Sequence, residues 1–320
     1  EMCIRDRYYN IYIVKNKGEC LNIMETLFLD GTDGHKIPVY CSRIDDEKFT
    51  VQIVHGLFDS SDRYFDFMED LNKMGASAAI MDIRGHKRAI ENASESLYLG
   101  EFNGWNNATD DIHVLNSYLR QRNKPNFLIG YGIGSDLLRT YAIKYGHETD
   151  GIVLVSAGKY IGNLRYNIYS KILSFLISNK GETYRSEAIK DKALKDLNKP
   201  FIKNSMFSYM TSDLYEEDKI NKNPFMKGVP TVAMWRSILL AKKKIQDENA
   251  QKYIPDDLPL LFVVGEKDIV GGGIKKQEAL VDFYTSMGKN AELKIIKDGR
   301  FDLYLSLIHI SDGAREACRS

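Results

Sequence analysis

Apolar residues recur along the chain in two rhythms. Short continuous runs occupy residues 49–54, 76–82, 127–129, 151–156, 260–265 and 293–296. Runs of this length between turn residues predict strands, and continuous rather than alternating apolarity predicts strands covered on both faces. Ahead of them, residues 27–29 and 37–40 flank Asp30-Gly31-Thr32-Asp33-Gly34 and predict a hairpin. Between the runs the spacing becomes helical. Residues 62–74 read as an amphipathic helix stopped by Gly75, and residues 106–121 place Ile112, Leu115 and Leu119 on one face. A third helix, with Leu137, Leu138 and Tyr141, opens directly after Gly130-Tyr131-Gly132-Ile133-Gly134. The predicted class is α/β, a mostly parallel central sheet with helices on both faces.

From 157 to 259 the rhythm breaks. These residues carry helical patterns and lysine-rich polar stretches but no convincing core strand. An insertion whose two ends return to one sheet predicts a helical cap or lid. The expected division is thus residues 24–156 and 260–304 as the two parts of the core, with 157–259 as the cap. Both ends of the chain read differently. Glu1-Met2-Cys3-Ile4-Arg5-Asp6 and Leu305-Ser306-Leu307-Ile308-His309-Ile310 can be encoded by one DNA stretch read on opposite strands. That stretch resembles a sequencing-library adapter, so residues 1–7 and 305–320 are expected to be adapter-derived. Residues 8–23 read as translated leader ahead of Met24, or as a strand from Tyr8 to Val14.

Composition narrows the partners. Lys+Arg and Asp+Glu both total 44 in 320 residues. No overall excess of charge points to nucleic acid or to an anionic membrane surface. No apolar run reaches the roughly 18 residues of a membrane span, so no stable membrane insertion is expected. Four scattered cysteines suggest neither a disulfide framework nor a metal site, and a reduced, cytoplasmic protein without cofactor is expected.

The glycine-rich turn after residues 127–129 could cradle a phosphate at a helix N-terminus. It lacks the third glycine spacing of a dinucleotide fingerprint and follows several earlier strands, which disfavours that reading. The alternative is a nucleophile elbow, Gly-x-Ser-x-Gly, with its central residue changed to Gly132. An acid is then expected after a later strand, where Asp268 stands, and a histidine after the last one, where Asp298-Gly299-Arg300-Phe301-Asp302 stands.

With His55-Gly56-Leu57-Phe58-Asp59-Ser60-Ser61-Asp62-Arg63-Tyr64, Asp82-Ile83-Arg84-Gly85-His86, Gly104-Trp105, Asp110-Asp111 and Pro230-Thr231, the chain resembles the monoacylglycerol lipase and lysophospholipase branch of the α/β-hydrolases, the serine aminopeptidase S33 or Hydrolase_4 group. The resemblance runs from about Met24 to Tyr304. It implies the α/β-hydrolase fold and serine esterase chemistry on monoacylglycerols, lysophospholipids or similar small esters. It places the nucleophile at Gly132, the acid at Asp268, the base at Phe301, and the oxyanion hole at the backbone N–H groups of Leu57 and Ile133. Two of those three triad positions depart from the pattern. Ile83 and Lys87 also stand where the family usually shows His and Gly.

Acyl transfer needs a nucleophilic oxygen and a base to take its proton. Gly132 has no side chain and Phe301 no proton acceptor. Ser135 lies about one helical turn beyond the elbow, and neither Ser60 nor Ser156 has a visible histidine partner. His55 reads as a turn-bracing residue, and His86, His113 and His147 as structural or surface residues. The expectation is an impaired hydrolase that binds a small apolar ester, fatty acid or lysolipid. The alternatives are an active carboxylic ester hydrolase with a rearranged site and a drifting paralogue without selected function.

Overall fold

The computed structural model describes residues 10–13, 23–100, 103–201, 207–223 and 225–303. Among them one sheet runs through β1 (Asn10–Ile13), β2 (Ile23–Asp30), β3 (Lys36–Ser42), β4 (Phe49–Val54), β5 (Ala76–Met81), β6 (Asn126–Tyr131), β7 (Gly151–Val155), β8 (Leu260–Gly265) and β9 (Ala291–Ile296). Their spatial order is β1-β2-β3-β5-β4-β6-β7-β8-β9. Pairing is antiparallel from β1 through β3 to β5 and parallel from β5 through β4 to β9. The expected hairpin forms with Leu27 opposite Val39 and Leu29 opposite Ile37. Within the stretch read as leader, the β1 backbone pairs with β2 from Asn10 opposite Thr26 to Ile13 opposite Ile23. The rest of that stretch and the adapter-like ends, residues 1–9, 14–22 and 305–320, lie outside the described residues.

The helices follow in chain order: α1 (Phe65–Lys73), α2 (Gly104–Arg120), α3 (Ile133–Tyr145), α4 (Asn163–Lys180), α5 (Glu187–Asn198), α6 (Leu214–Lys222), α7 (Val232–Lys244), α8 (Glu248–Gln251) and α9 (Ile274–Ser286). A 3₁₀ turn at Ser61–Tyr64 precedes α1, so the helix proper starts later than its apolar pattern. Gly75, with φ 91°, provides the expected stop. Helix α9 has no counterpart in the sequence reading. Its first turns carry Lys275, Lys276 and Glu278, and its buried apolar positions, Leu280, Val281 and Tyr284, span little more than one turn.

Continuous apolar strands make sense because both sheet faces are covered. On one face Leu128, Ile152, Leu154 and Phe262 pack with Ile112 and Leu115 of α2, Leu137 and Tyr141 of α3, and Tyr284 of α9. On the other, Val51, Ile53, Ala78 and Ile80 pack with Met68 and Leu71 of α1 and with Leu303. At about 25 cal/mol per Å² of apolar area removed from water, these two layers are the main stabilising term. Between β7 and β8 the described residues form five α-helices and no sheet strand. Helix α7 packs on α2 and α3, and α4 packs on α7. Thr231 starts α7, its Oγ1 accepting from the Met234 N–H at 3.1 Å while its hydroxyl lies 3.3 Å from the Leu97 carbonyl oxygen.

Candidate active site

Strand order reverses at β4, which has β5 on one side and β6 on the other, and open parallel sheets place their binding crevice beyond the C-terminal strand ends at such a switch. The loops after β4, β6, β8 and β9 converge there. Strand β6 passes into α3 through a single residue, Gly132, at φ 56° and ψ −111°. A side-chain-bearing residue would be strained in that conformation, and glycine is not. Two residues on, a Cβ at Gly134 would lie 2.2 Å from the Val54 carbonyl oxygen and 2.7 Å from that of His55. Only glycine lets α3 approach the end of β4 so closely. Ser135 is fully buried, its hydroxyl 2.7 Å from the carbonyl oxygens of both Gly130 and Val155.

The Phe301 ring lies over the elbow. A Cβ at Gly132 would be 3.0 Å from Phe301 Cζ and 3.2 Å from Cε2. The ring lies 6.1 Å, centroid to centroid, from that of Tyr209, in an apolar cluster that Phe58 of the β4 loop and Ile269 and Val270 of the β8 loop also border. Asp268, on the β8 loop, is buried. Its Oδ1 accepts from the Val270 N–H at 2.8 Å, while Oδ2 has no hydrogen-bond partner among the described residues. Burial pushes this carboxyl above the usual range, against the pull of the Ser156 hydroxyl and the Val270 and Gly271 N–H groups. Ser156, in the left-handed region at φ 52°, points its hydroxyl toward the Phe301 carbonyl oxygen, 3.4 Å away. The structure thus sets Phe301 against Gly132, with Ser156 between the Phe301 carbonyl and Asp268.

The loop after β4 is braced by polar groups. His55 has the expected turn-bracing place: Nδ1 lies 2.9 Å from the Gly56 carbonyl oxygen, and Nε2 accepts from the Ile83 N–H at 3.0 Å. His86 faces two carbonyl oxygens, that of Arg84 at 3.0 Å and that of Leu57 at 2.8 Å. Burial and the neighbouring His55 lower its pKa to about 4, so near neutral pH the uncharged ring donates to one of the two. The backbone N–H groups of Leu57 and Ile133 donate to no acceptor among the described residues, which leaves both available to a ligand oxygen.

One cluster escaped the sequence reading. The Arg63 guanidinium bridges Asp59, at 2.8 Å, and Asp302, while the Tyr64 hydroxyl donates to Asp59 at 2.7 Å. It ties the β4 loop to the residue after Phe301. Its only sequence signal was an Arg and two acids at positions the fold buries or half-buries.

Other candidates have structural places. The Ser60 hydroxyl donates to Asp62 at 2.6 Å, and Asp111 holds Arg84. His113 meets Glu148 at 3.1 Å and stacks on Tyr145, and His147 is exposed. Lys87, standing where the resemblance expects glycine, keeps a glycine-like φ of 38° and pairs with Asp62 at 2.8 Å.

Residues 45–305 match Hydrolase_4, described as serine aminopeptidase, S33. The chain belongs to the Hydrolase_4 family. Solved structures agree with a Hydrolase_4 protein of α/β-hydrolase fold. A highly thermostable carboxyl esterase from Bacillus coagulans, in complex with glycerol, aligns with TM-score 0.80 at 18% identity, over 92% of this chain and 96% of that one. A soluble variant of monoglyceride lipase from Saccharomyces cerevisiae, in complex with a substrate analog, aligns with TM-score 0.63 at 14% identity, over 94% and 91%. A monoacylglycerol lipase from Paleococcus ferrophilus aligns with TM-score 0.55 at 16% identity, over 81% and 88%. At these identities the likeness shows the fold. No curated protein matches this Hydrolase_4 sequence. No helix among its described residues is long and apolar enough to cross a membrane.

Proposed function

We propose that this Hydrolase_4 chain is a non-hydrolytic binder of a small apolar molecule, a fatty acid, monoacylglycerol, lysolipid or similar ester, held beneath a helical cap formed by residues 157–259. In this reading Gly132 stands at the nucleophile position, Phe301 at the base position and Asp268 as the retained acid, with Leu57 and Ile133 supplying the oxyanion donors. The observation that carries it is the Phe301 ring resting on Gly132, with a Cβ at 132 only 3.0 Å from Cζ. The elbow backbone is kept while its nucleophile and base are replaced by apolar surface.

Oriented N–H groups and a pocket alone give on the order of 10³–10⁴ over the uncatalysed rate, roughly 10⁶ short of a working triad. The nearby hydroxyls offer no substitute, because those of Ser60 and Ser135 are engaged and that of Ser156 is fully buried between the Phe301 carbonyl and Asp268. The two free N–H groups can still receive a carboxylate or ester oxygen. The structural relatives named above, a carboxyl esterase and a monoglyceride lipase, support that ligand class.

The test is hydrolysis of a short-chain p-nitrophenyl ester and a monoacylglycerol by the natural chain and by Gly132→Ser/Phe301→His. Both positions must change, because a serine Cβ would press on the ring. No activity in the natural chain with activity in the double variant is expected. Equal rates would overturn the reading, as would the absence of any thermal shift with a long-chain fatty acid.

A further inference from the structure

The sheet ends on one side at β9, whose neighbour is β8. The pairing runs unbroken from Leu260 opposite Ala291 to Gly265 opposite Ile296, with no bulge and no proline in β9. The Leu260 N–H donates to the Asn290 carbonyl oxygen at 2.8 Å, and the Glu266 N–H to that of Ile296 at 2.9 Å. Even-numbered residues of β9 therefore turn their backbone groups toward β8, while Ala291, Leu293 and Ile295 turn theirs away. Those outward groups have no hydrogen-bond partner among the described residues. A straight, unpaired edge of this kind is a template for another strand unless its side chains guard it.

The charges on β9 do not guard it against a second copy of the same chain. Glu292 and Lys294 are exposed, and two residues apart they lie on one face with opposite signs. Antiparallel pairing about a two-fold axis at Leu293 sets Glu292 of each copy directly opposite Lys294 of the other. Registers centred on Glu292 or on Lys294 would set like charges face to face. Because these two residues turn their backbone groups inward, they meet at non-hydrogen-bonded positions, where facing Cα atoms are only about 4.5 Å apart. Opposite charges stabilise pairing there, and like charges oppose it. On the other face the same register sets Ala291 of one copy opposite Ile295 of the other. Ile295 is 40% exposed, whereas Ala291 and Leu293 on its own side of the strand pack against the core.

We propose that two copies of this chain associate through β9, antiparallel about Leu293, and join their sheets into one continuous sheet. A strand from another protein could use the same backbone groups, but a second copy necessarily brings the complementary charges in the matching order. The pairing concerns the sheet edge and holds for a binder and for a hydrolase alike.

The test is sedimentation equilibrium of the full chain across the micromolar range, beside Glu292→Lys, Lys294→Glu and the double exchange Glu292→Lys/Lys294→Glu. A dimer is expected for the natural chain. Either single exchange sets like charges opposite each other at both symmetric positions and is expected to raise the dissociation constant at least about tenfold. The double exchange restores opposite charges and is expected to return the constant to within about threefold of the natural value. That rescue separates a contact between copies from general harm to the fold, and all four chains are expected to share one far-ultraviolet circular dichroism spectrum. A natural chain that stays monomeric would overturn the proposal. So would a dimer indifferent to the single exchanges, or a double exchange that stays dissociated.

Discussion

Two neighbouring regions at the ends of β4 and β6 have opposite characters. The loop after β4 keeps a dense polar frame: His55 and His86 on backbone groups, Arg63 between two carboxylates, and the Ser61 hydroxyl on Asp82 at 2.7 Å. A few ångströms away, the elbow and the β9 loop present a glycine and a phenyl ring. The difference teaches which parts of such a site folding needs. Buried polar groups left without partners cost roughly 1–3 kcal/mol each, so the frame is bound into stability. A nucleophile on a strained turn contributes nothing to folding, and its loss relieves strain.

Breaking the frame is the largest test. Arg63→Met removes the guanidinium that bridges Asp59 and Asp302 and is expected to cost about 3–5 kcal/mol in urea unfolding. A loss below about 1 kcal/mol would mean that the frame is not structural and would erase the contrast. Next come two alanines in one turn. Gly134→Ala forces α3 away from the Val54 carbonyl oxygen and is expected to cost about 3 kcal/mol. Gly132→Ala meets a positive φ and a displaceable ring edge, and about 1–2 kcal/mol is expected. The reverse ranking in the same urea series would show the elbow to be the tighter constraint.

The smallest effect concerns Asp268. Its folded pKa is raised by burial, so the folded state holds its proton more tightly than the unfolded state. The stabilising contribution is full below the unfolded value near 3.8 and is lost as pH rises through the folded pKa. Asp268→Asn is therefore expected to be more stable than the natural chain at neutral pH, with the gap closing as pH falls to the ordinary carboxylate range. Parallel urea titrations at several pH values measure it, and a gap that widens toward acid would contradict the assignment.

Much of this was legible in the sequence. Strands β4, β5, β7 and β8 lie within a residue of their apolar runs because buried parallel strands need continuous apolarity. The elbow was legible because its glycines answer to local sterics. The Phe301 ring on Gly132 was not, because it joins two loops far apart in sequence, and no local pattern encodes where a ring comes to rest. Arg63 with Asp302 escaped for the same reason. The outward apolar stripe of α4 was hidden by averaging, because apolar residues on two faces of one helix blur its period.

Under the proposed reading of positions 132 and 301 as nucleophile and base sites, the contact between Phe301 and Gly132 also acts as a ratchet on any path to a working triad. A serine restored alone would take up backbone strain and press on the ring before gaining any chemistry. A histidine restored alone would face a turn with no hydroxyl to deprotonate. Neither single step is rewarded, so the two positions can travel back only together.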